Sequence, residues 1–153
     1  MDSALRIVSV DEDVAVATLH NVVLVHFRGK TTAACVPIVR RAFSAIKERL
    51  VFFAVIETSS TPPDQAAREA FIKLFDEFGE RMAMALVTIR GDGFRAAMVR
   101  VISSGILNFI RFRVRFPKHI GGSIEEAAGR AAEHTDGADA ATLLRAFRDL
   151  ANA

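Results

Sequence analysis

The sequence predicts an α/β domain built on a mixed, mainly parallel sheet. Three observations point there. Two runs rich in β-branched residues, Val14 to Leu19 and Val22 to Phe27, flank the two-residue segment His20-Asn21, which reads as an antiparallel hairpin. Two further short runs, Val51 to Ile56 and Met84 to Ile89, are apolar at successive positions, as strands covered on both faces are. Helix-length amphipathic segments separate these runs, and such crossovers join parallel strands.

The elements follow in order. Leu5 to Val10 reads as an additional strand, stopped by Asp11-Glu12-Asp13. After the hairpin, Gly29 closes the second strand. A first helix is expected from about Thr32 to Arg49, because Val39, Phe43, Ile46 and Leu50 recur at helical spacing. Pro37 suits its first turn, where a missing N–H costs least. The loop Thr58-Ser59-Ser60-Thr61-Pro62-Pro63 precedes a second helix running to about Glu80, with Thr61 and the prolines as its start signal. Ala67, Ala70, Phe71, Leu74, Phe75 and Phe78 form its apolar stripe.

Gly91-Asp92-Gly93 turns the chain into a third helix over Phe94 to Ile110, with Asp92 as its cap. Phe112, Val114 and Phe116 alternate with Arg113 and Arg115 in an expected strand that Pro117 ends. Ser123-Ile124-Glu125-Glu126 has capping-box spacing and opens a fourth helix reaching about His134. Asp136-Gly137 breaks it. A fifth helix, Asp139 to Ala151, carries Leu143, Leu144, Phe147 and Leu150 on one stripe. The order is β-β-α-β-α-β-α-β-α plus one helix, within a single domain over 1–153.

Composition limits the function classes. The 153 residues suit one core, with 51% hydrophobic and 25% charged residues. Twelve Phe with no Trp or Tyr suggest dry packing, since Phe needs no hydrogen-bond partner. The single cysteine, Cys35, excludes an internal disulfide and points to a reducing, cytoplasmic compartment. Met1 to Ala4 show no basic flank leading into an apolar run, so no signal peptide is expected. Polar residues interrupt the most apolar stretch, Phe94 to Ile110, so it reads as a buried helix rather than a membrane span.

Charge is uneven. Residues 81–124 hold eight basic side chains and one acidic one, while both flanking regions are net acidic. Arg111, Arg113, Arg115 and Lys118 form a candidate surface for an anionic partner, against the simpler role of guarding an edge strand. No helix-turn-helix pattern or stacking aromatic motif accompanies them, which disfavours nucleic acid. Membrane-surface contact is the weaker alternative.

Val22 to Thr32 (VVLVHFRGKTT) and Phe116 to Ala127 (FPKHIGGSIEEA) carry a family resemblance. With the element order, they resemble the STAS-like domains of anti-sigma-factor antagonists and the SpoIIAA-like family. The likeness spans roughly Val14 to His134, with the fifth helix appended. It implies a non-catalytic regulatory or adaptor domain that binds another protein. The alternative is a module for a small apolar or lipid-like ligand. In the phosphorylated antagonists, an Asp-Ser-x-Gly segment follows the third strand of the family pattern. Here that place reads Glu57-Thr58-Ser59-Ser60-Thr61, with hydroxyls but without that wording.

The candidate sites follow from position. Thr58, Ser59, Ser60 and Thr61 lie past the carboxyl end of a central strand, where open α/β sheets bind ligands. They form a candidate phosphorylation or partner loop, against the simpler reading as a polar capping loop. Phe94, Met98, Val101 and Ile102 are the candidate apolar ligand or interface residues, a homodimer interface included. Cys35 reads as core filler. His20, His26, His119 and His134 show no metal-ligand spacing, so no metal or cofactor is expected. No nucleophile–base pair can be named, so catalysis is not expected.

Overall fold

A computed structural model describes residues 5–93, 96–101, 105 and 116–153. Among these residues, six strands form one sheet in the order β1-β2-β3-β4-β5-β6, which is also their order along the chain. They are β1 (Arg6–Val10), β2 (Val14–Leu19), β3 (Val22–Phe27), β4 (Leu50–Ile56), β5 (Met82–Ile89) and β6 (Lys118–Gly121). β1, β2 and β3 pair antiparallel, and β3 through β6 pair parallel. The mixed, mainly parallel sheet and the helix order expected from the sequence are therefore present, preceded by β1 as an edge strand. His20 takes a positive φ of 53°, the conformation a tight hairpin turn requires.

The helices are α1 (Val36–Ala45), α2 (Gln65–Phe78), α3 (residues 96–101), α4 (Ile124–Ala132) and α5 (Ala140–Ala151). Strands added in one direction with crossovers of one hand place their connecting helices on one face. Accordingly α1, α2 and the described part of α3 share a core with Val25, Phe27, Phe52 and Val87. α4 and α5 cover the opposite face, where Leu24, Phe53 and Leu86 meet Ala128, Leu143 and Phe147. Because both faces are covered, every residue of β3 and β5 is buried. The apolar runs read from the sequence follow from this two-sided burial.

Several boundaries differ from expectation, each for a physical reason. α1 ends at Ala45, because Ile46 turns to extended backbone (φ −99°, ψ 127°) and the chain must reach β4 at Leu50. A 3-10 turn over Ala33–Cys35 precedes it. Asp64, not Thr61, caps α2 by accepting a bond from the Ala67 amide at 2.8 Å. β6 begins after Pro117, whereas the strand expected over Phe112 to Phe116 lies, but for Phe116, outside the described residues. Pro117 lacks an N–H, but its carbonyl accepts from the Ala85 amide at 2.9 Å, so the proline suits the strand's start. Phe116 is buried beside Phe75 with ring centroids 6.3 Å apart, outside any strand.

The expected start of α4 at Ser123 and the apolar stripe of α5 are present. Ser123 caps α4 through the Glu126 amide, and Asp139 caps α5 through the Thr142 amide. α5 seats Leu143, Ala146, Phe147 and Leu150 on its own chain's sheet, with Leu144 half-buried.

Gly29 ties the start of β2 to the end of β3. A Cβ there would lie 2.8 Å from Asp13 Cα and 2.9 Å from the Glu12 carbonyl, both backbone atoms that cannot yield. Its amide donates to the Asp13 carbonyl, and its carbonyl accepts from the Thr61 amide at 2.9 Å. The glycine thus anchors the loop that follows β4.

Candidate functional site

The carboxyl ends of β3, β4 and β5 bring together side chains far apart in sequence. His26, Val55 and Thr88 are in register across these strands. Successive side chains alternate between faces, so residues two further on emerge on the same side. These are Arg28, Glu57 and Arg90, at the edge beneath α5.

His26 is buried, with its side chain 7% exposed, and its ring meets Phe147 of α5 edge-on at 5.1 Å. Its Nε2 stands 3.2 Å from Glu57 Oε1. That is an ion-pair distance without hydrogen-bond geometry, and neither ring nitrogen has a hydrogen-bond partner. Glu57 Oε1 also lies 3.4 Å from Arg90 Nε, and the Arg90 guanidinium sits 5.5 Å over the Phe147 ring. Arg28 Nη1 donates to the Ala151 carbonyl at the end of α5. Desolvation lowers the His26 pKa below its ordinary 6.5; Glu57 opposes this and the two arginines reinforce it.

On the opposite face of the same edge lies the hydroxyl loop. Ser60 is buried and its Oγ is 3.2 Å from Thr31 Oγ1. Ser59 is exposed and donates to the Arg28 carbonyl at 2.7 Å. Thr61 Oγ1 accepts from the Thr31 amide at 3.4 Å, and Thr58 is exposed. The four residues therefore divide, with Thr58 and Ser59 facing solvent and Ser60 turned inward.

Beneath this loop is an apolar cavity of about 60 Å3, lined by residues of β3, β4, β5 and α2 together with Thr31, Thr61 and Pro63 from loops and Val99 from α3. Cavities that take a benzene-sized ligand are nearer about 150 Å3, so this one has no room for a long acyl chain. Met98 and Val101 do not line it; they are 42% and 71% exposed. α3 thus turns Ala96 and Val99 inward and these two apolar side chains outward. Phe94 and Ile102 lie outside the described residues.

Arg111, Arg113 and Arg115 also lie outside them. Arg81, at the amino end of β5, donates to the Ile46 carbonyl, whereas Arg90 stands at the carboxyl end. Lys118 Nζ contacts the Phe116 carbonyl at 3.2 Å and lies 4.8 Å from that residue's ring centroid.

Cys35 is buried and its thiol donates to the Thr32 carbonyl at 2.9 Å. Burial pushes its pKa up to about 11. At pH 8 only about one thiol in a thousand is then ionised. Maleimide labelling at that pH should be far slower in the folded protein than in urea. Equal rates would contradict the buried geometry.

At the opposite edge, His20, Asn21, Glu48, Arg49, His134 and Asp136 line a polar cleft of about 470 Å3. The Asn21 amide bridges the Arg49 and His134 carbonyls there. Among the described residues, no three His, Cys, Asp or Glu side chains converge as metal ligands, and no helix is long and apolar enough to cross a membrane.

No family model matches the chain, and no curated protein matches it. Among solved structures, it is similar to an uncharacterized protein of the DUF3478 family with a SpoIIAA-like fold, from Shewanella loihica PV-4. The identity is 16% and the TM-score 0.45, covering 81% of this chain and 88% of that one. The fold assignment itself rests on the strand order and pairing described above.

Proposed function

We propose that the chain is a non-catalytic regulatory or adaptor domain that acts by contact with another protein. The contact surface is the carboxyl edge where the Thr58–Thr61 loop adjoins α3. The observation that carries this reading is the outward placement of Met98 and Val101 on α3, whose inward Val99 lines the cavity together with Thr61. Apolar side chains grouped at a ligand-binding edge of an α/β sheet mark an interaction surface. The small cavity favours protein contact over an enclosed lipid-like ligand, because it suits a single protruding apolar group. The non-catalytic reading is supported by Cys35, whose thiol is protonated and enclosed.

The loop supplies the regulatory element in this reading. Ser59, exposed like Thr58, is a hydroxyl that a kinase could reach, whereas modifying Ser60 would require opening a buried contact. The expected result is that a photo-crosslinker at position 101 captures one discrete protein in cells. Val101→Glu should remove that adduct and Ser59→Asp should alter its yield, with the thermal midpoint of each variant near wild type. Native mass spectrometry separates the alternatives. A stoichiometric small-molecule adduct, with no protein captured at position 101, would replace this reading by the ligand-binding one. A homodimer joined through position 101 would identify the partner as a second copy.

A further inference from the structure

We propose that protonation of His26 loosens the seat of the carboxyl-terminal helix α5, so that local opening of this helix depends on pH. This inference is independent of the partner reading.

The geometry carries it. The His26 ring is enclosed between the sheet and Phe147, with neither nitrogen hydrogen-bonded. A neutral imidazole tolerates that enclosure better than an imidazolium, whose two N–H donors and full charge both require partners. Of the charged groups around it, Glu57 can pair with Nε2, 3.2 Å away, but among the described residues nothing accepts from Nδ1. From β3 comes Arg28, from the end of β5 Arg90, and from the end of β4 Glu57, whose near oxygen also contacts Arg90. From α5 comes the Phe147 ring; the neighbouring Arg148 and Asp149 are exposed. Opposite on β2 is Ala15, which is uncharged.

Nδ1 would be left as a buried donor without an acceptor, and lifting Phe147 to admit water is the route by which an imidazolium gains that second partner. Phe147 belongs to a 12-residue helix, too short to be stable alone in water. The helix end is fastened to this same edge by the Arg28 bond to Ala151 and by the stacking of Arg90 on Phe147. Local opening of such a unit costs less than global unfolding.

The sign follows from linkage. With α5 lifted, the imidazole titrates near its ordinary value; with α5 seated, it binds a proton only at lower pH. The seat is therefore fully stable above about pH 6.5 and weakens as pH falls from there toward the seated value.

Hydrogen exchange read by mass spectrometry on the full chain tests this, after correction for the intrinsic pH dependence of exchange. Between about pH 7.5 and 5.5, protection of residues 140–151 should fall by up to about tenfold, while β4 and β5 hold theirs. His26→Leu should abolish the pH response. Unchanged protection in the wild type, an equal fall in His26→Leu, or an equal fall across all elements would overturn the proposal. Should His26→Leu fail to fold, NMR titration of the wild type decides. The His26 ring must take up its proton in step with loss of the α5 amide protection. A ring that titrates while α5 stays protected overturns it.

Discussion

Deleting residues 139–153 should lower the midpoint of the cooperative thermal transition drastically, without changing the oligomeric state. Leu143, Phe147 and Leu150 are all buried against the chain's own sheet. Burying a side chain of this size contributes about 1.5–3 kcal/mol, so the three together amount to roughly 5–9 kcal/mol. That approaches the whole stability of a domain, about 5–15 kcal/mol. The loss also strips the cover from Ala15, Ala17, Val22 and Leu24 on β2 and β3. Far-UV circular dichroism melts and native mass spectrometry of the truncated protein check both parts. A truncated monomer that keeps its melting temperature, beside a full-length dimer, would instead make α5 an oligomerisation element.

Phe43→Ala should cost about 3–5 kcal/mol, the range for emptying a fully buried aromatic site. Phe43 has no exposed surface and is the hub of the first core. Its ring centroid lies 5.8 Å from that of Phe52 and 5.3 Å from that of Phe78, both edge-to-face. These rings come from α1, β4 and α2, so no single neighbour can collapse into the space. The expected signature in urea is a lower midpoint with an unchanged slope. Val101→Ala is the contrast: 71% exposed, it should stay within about 0.5 kcal/mol of wild type. A Phe43→Ala protein as stable as Val101→Ala would contradict the core described above.

The strands were legible because β3, β4 and β5 are buried on both faces, and such burial writes continuous apolar runs into the sequence. Ser123 and the α5 stripe were legible because capping and amphipathic spacing are local signals. The end of α1 was hidden because Ile46 keeps helical spacing while its backbone is already extended. Of the candidate site, the hydroxyl loop was visible from its place after a central strand. The split between exposed Ser59 and buried Ser60 was not, since it depends on Thr31 across the loop. His26, Glu57 and Arg90 were missed because no spacing along the chain joins them. A usable signal was present nonetheless: once β3, β4 and β5 are taken as in-register parallel strands, alternation alone puts the three side chains at one edge.

The coincidence of strand order with chain order bears on how the protein is made. Each strand can be laid on its predecessor as it leaves the ribosome, and α1 to α3 cover the first face as they emerge. The second face waits. Leu24 is synthesised 119 positions before its core neighbour Leu143. At about 5–20 residues per second, that is a delay of roughly 6–24 seconds. Through most of that interval the nascent chain carries an apolar sheet surface without cover, and α4 then covers only part of it until α5 follows. A trigger-type chaperone that shields extended apolar strands should therefore engage translation intermediates up to about residue 139, and let go once α5 has been made.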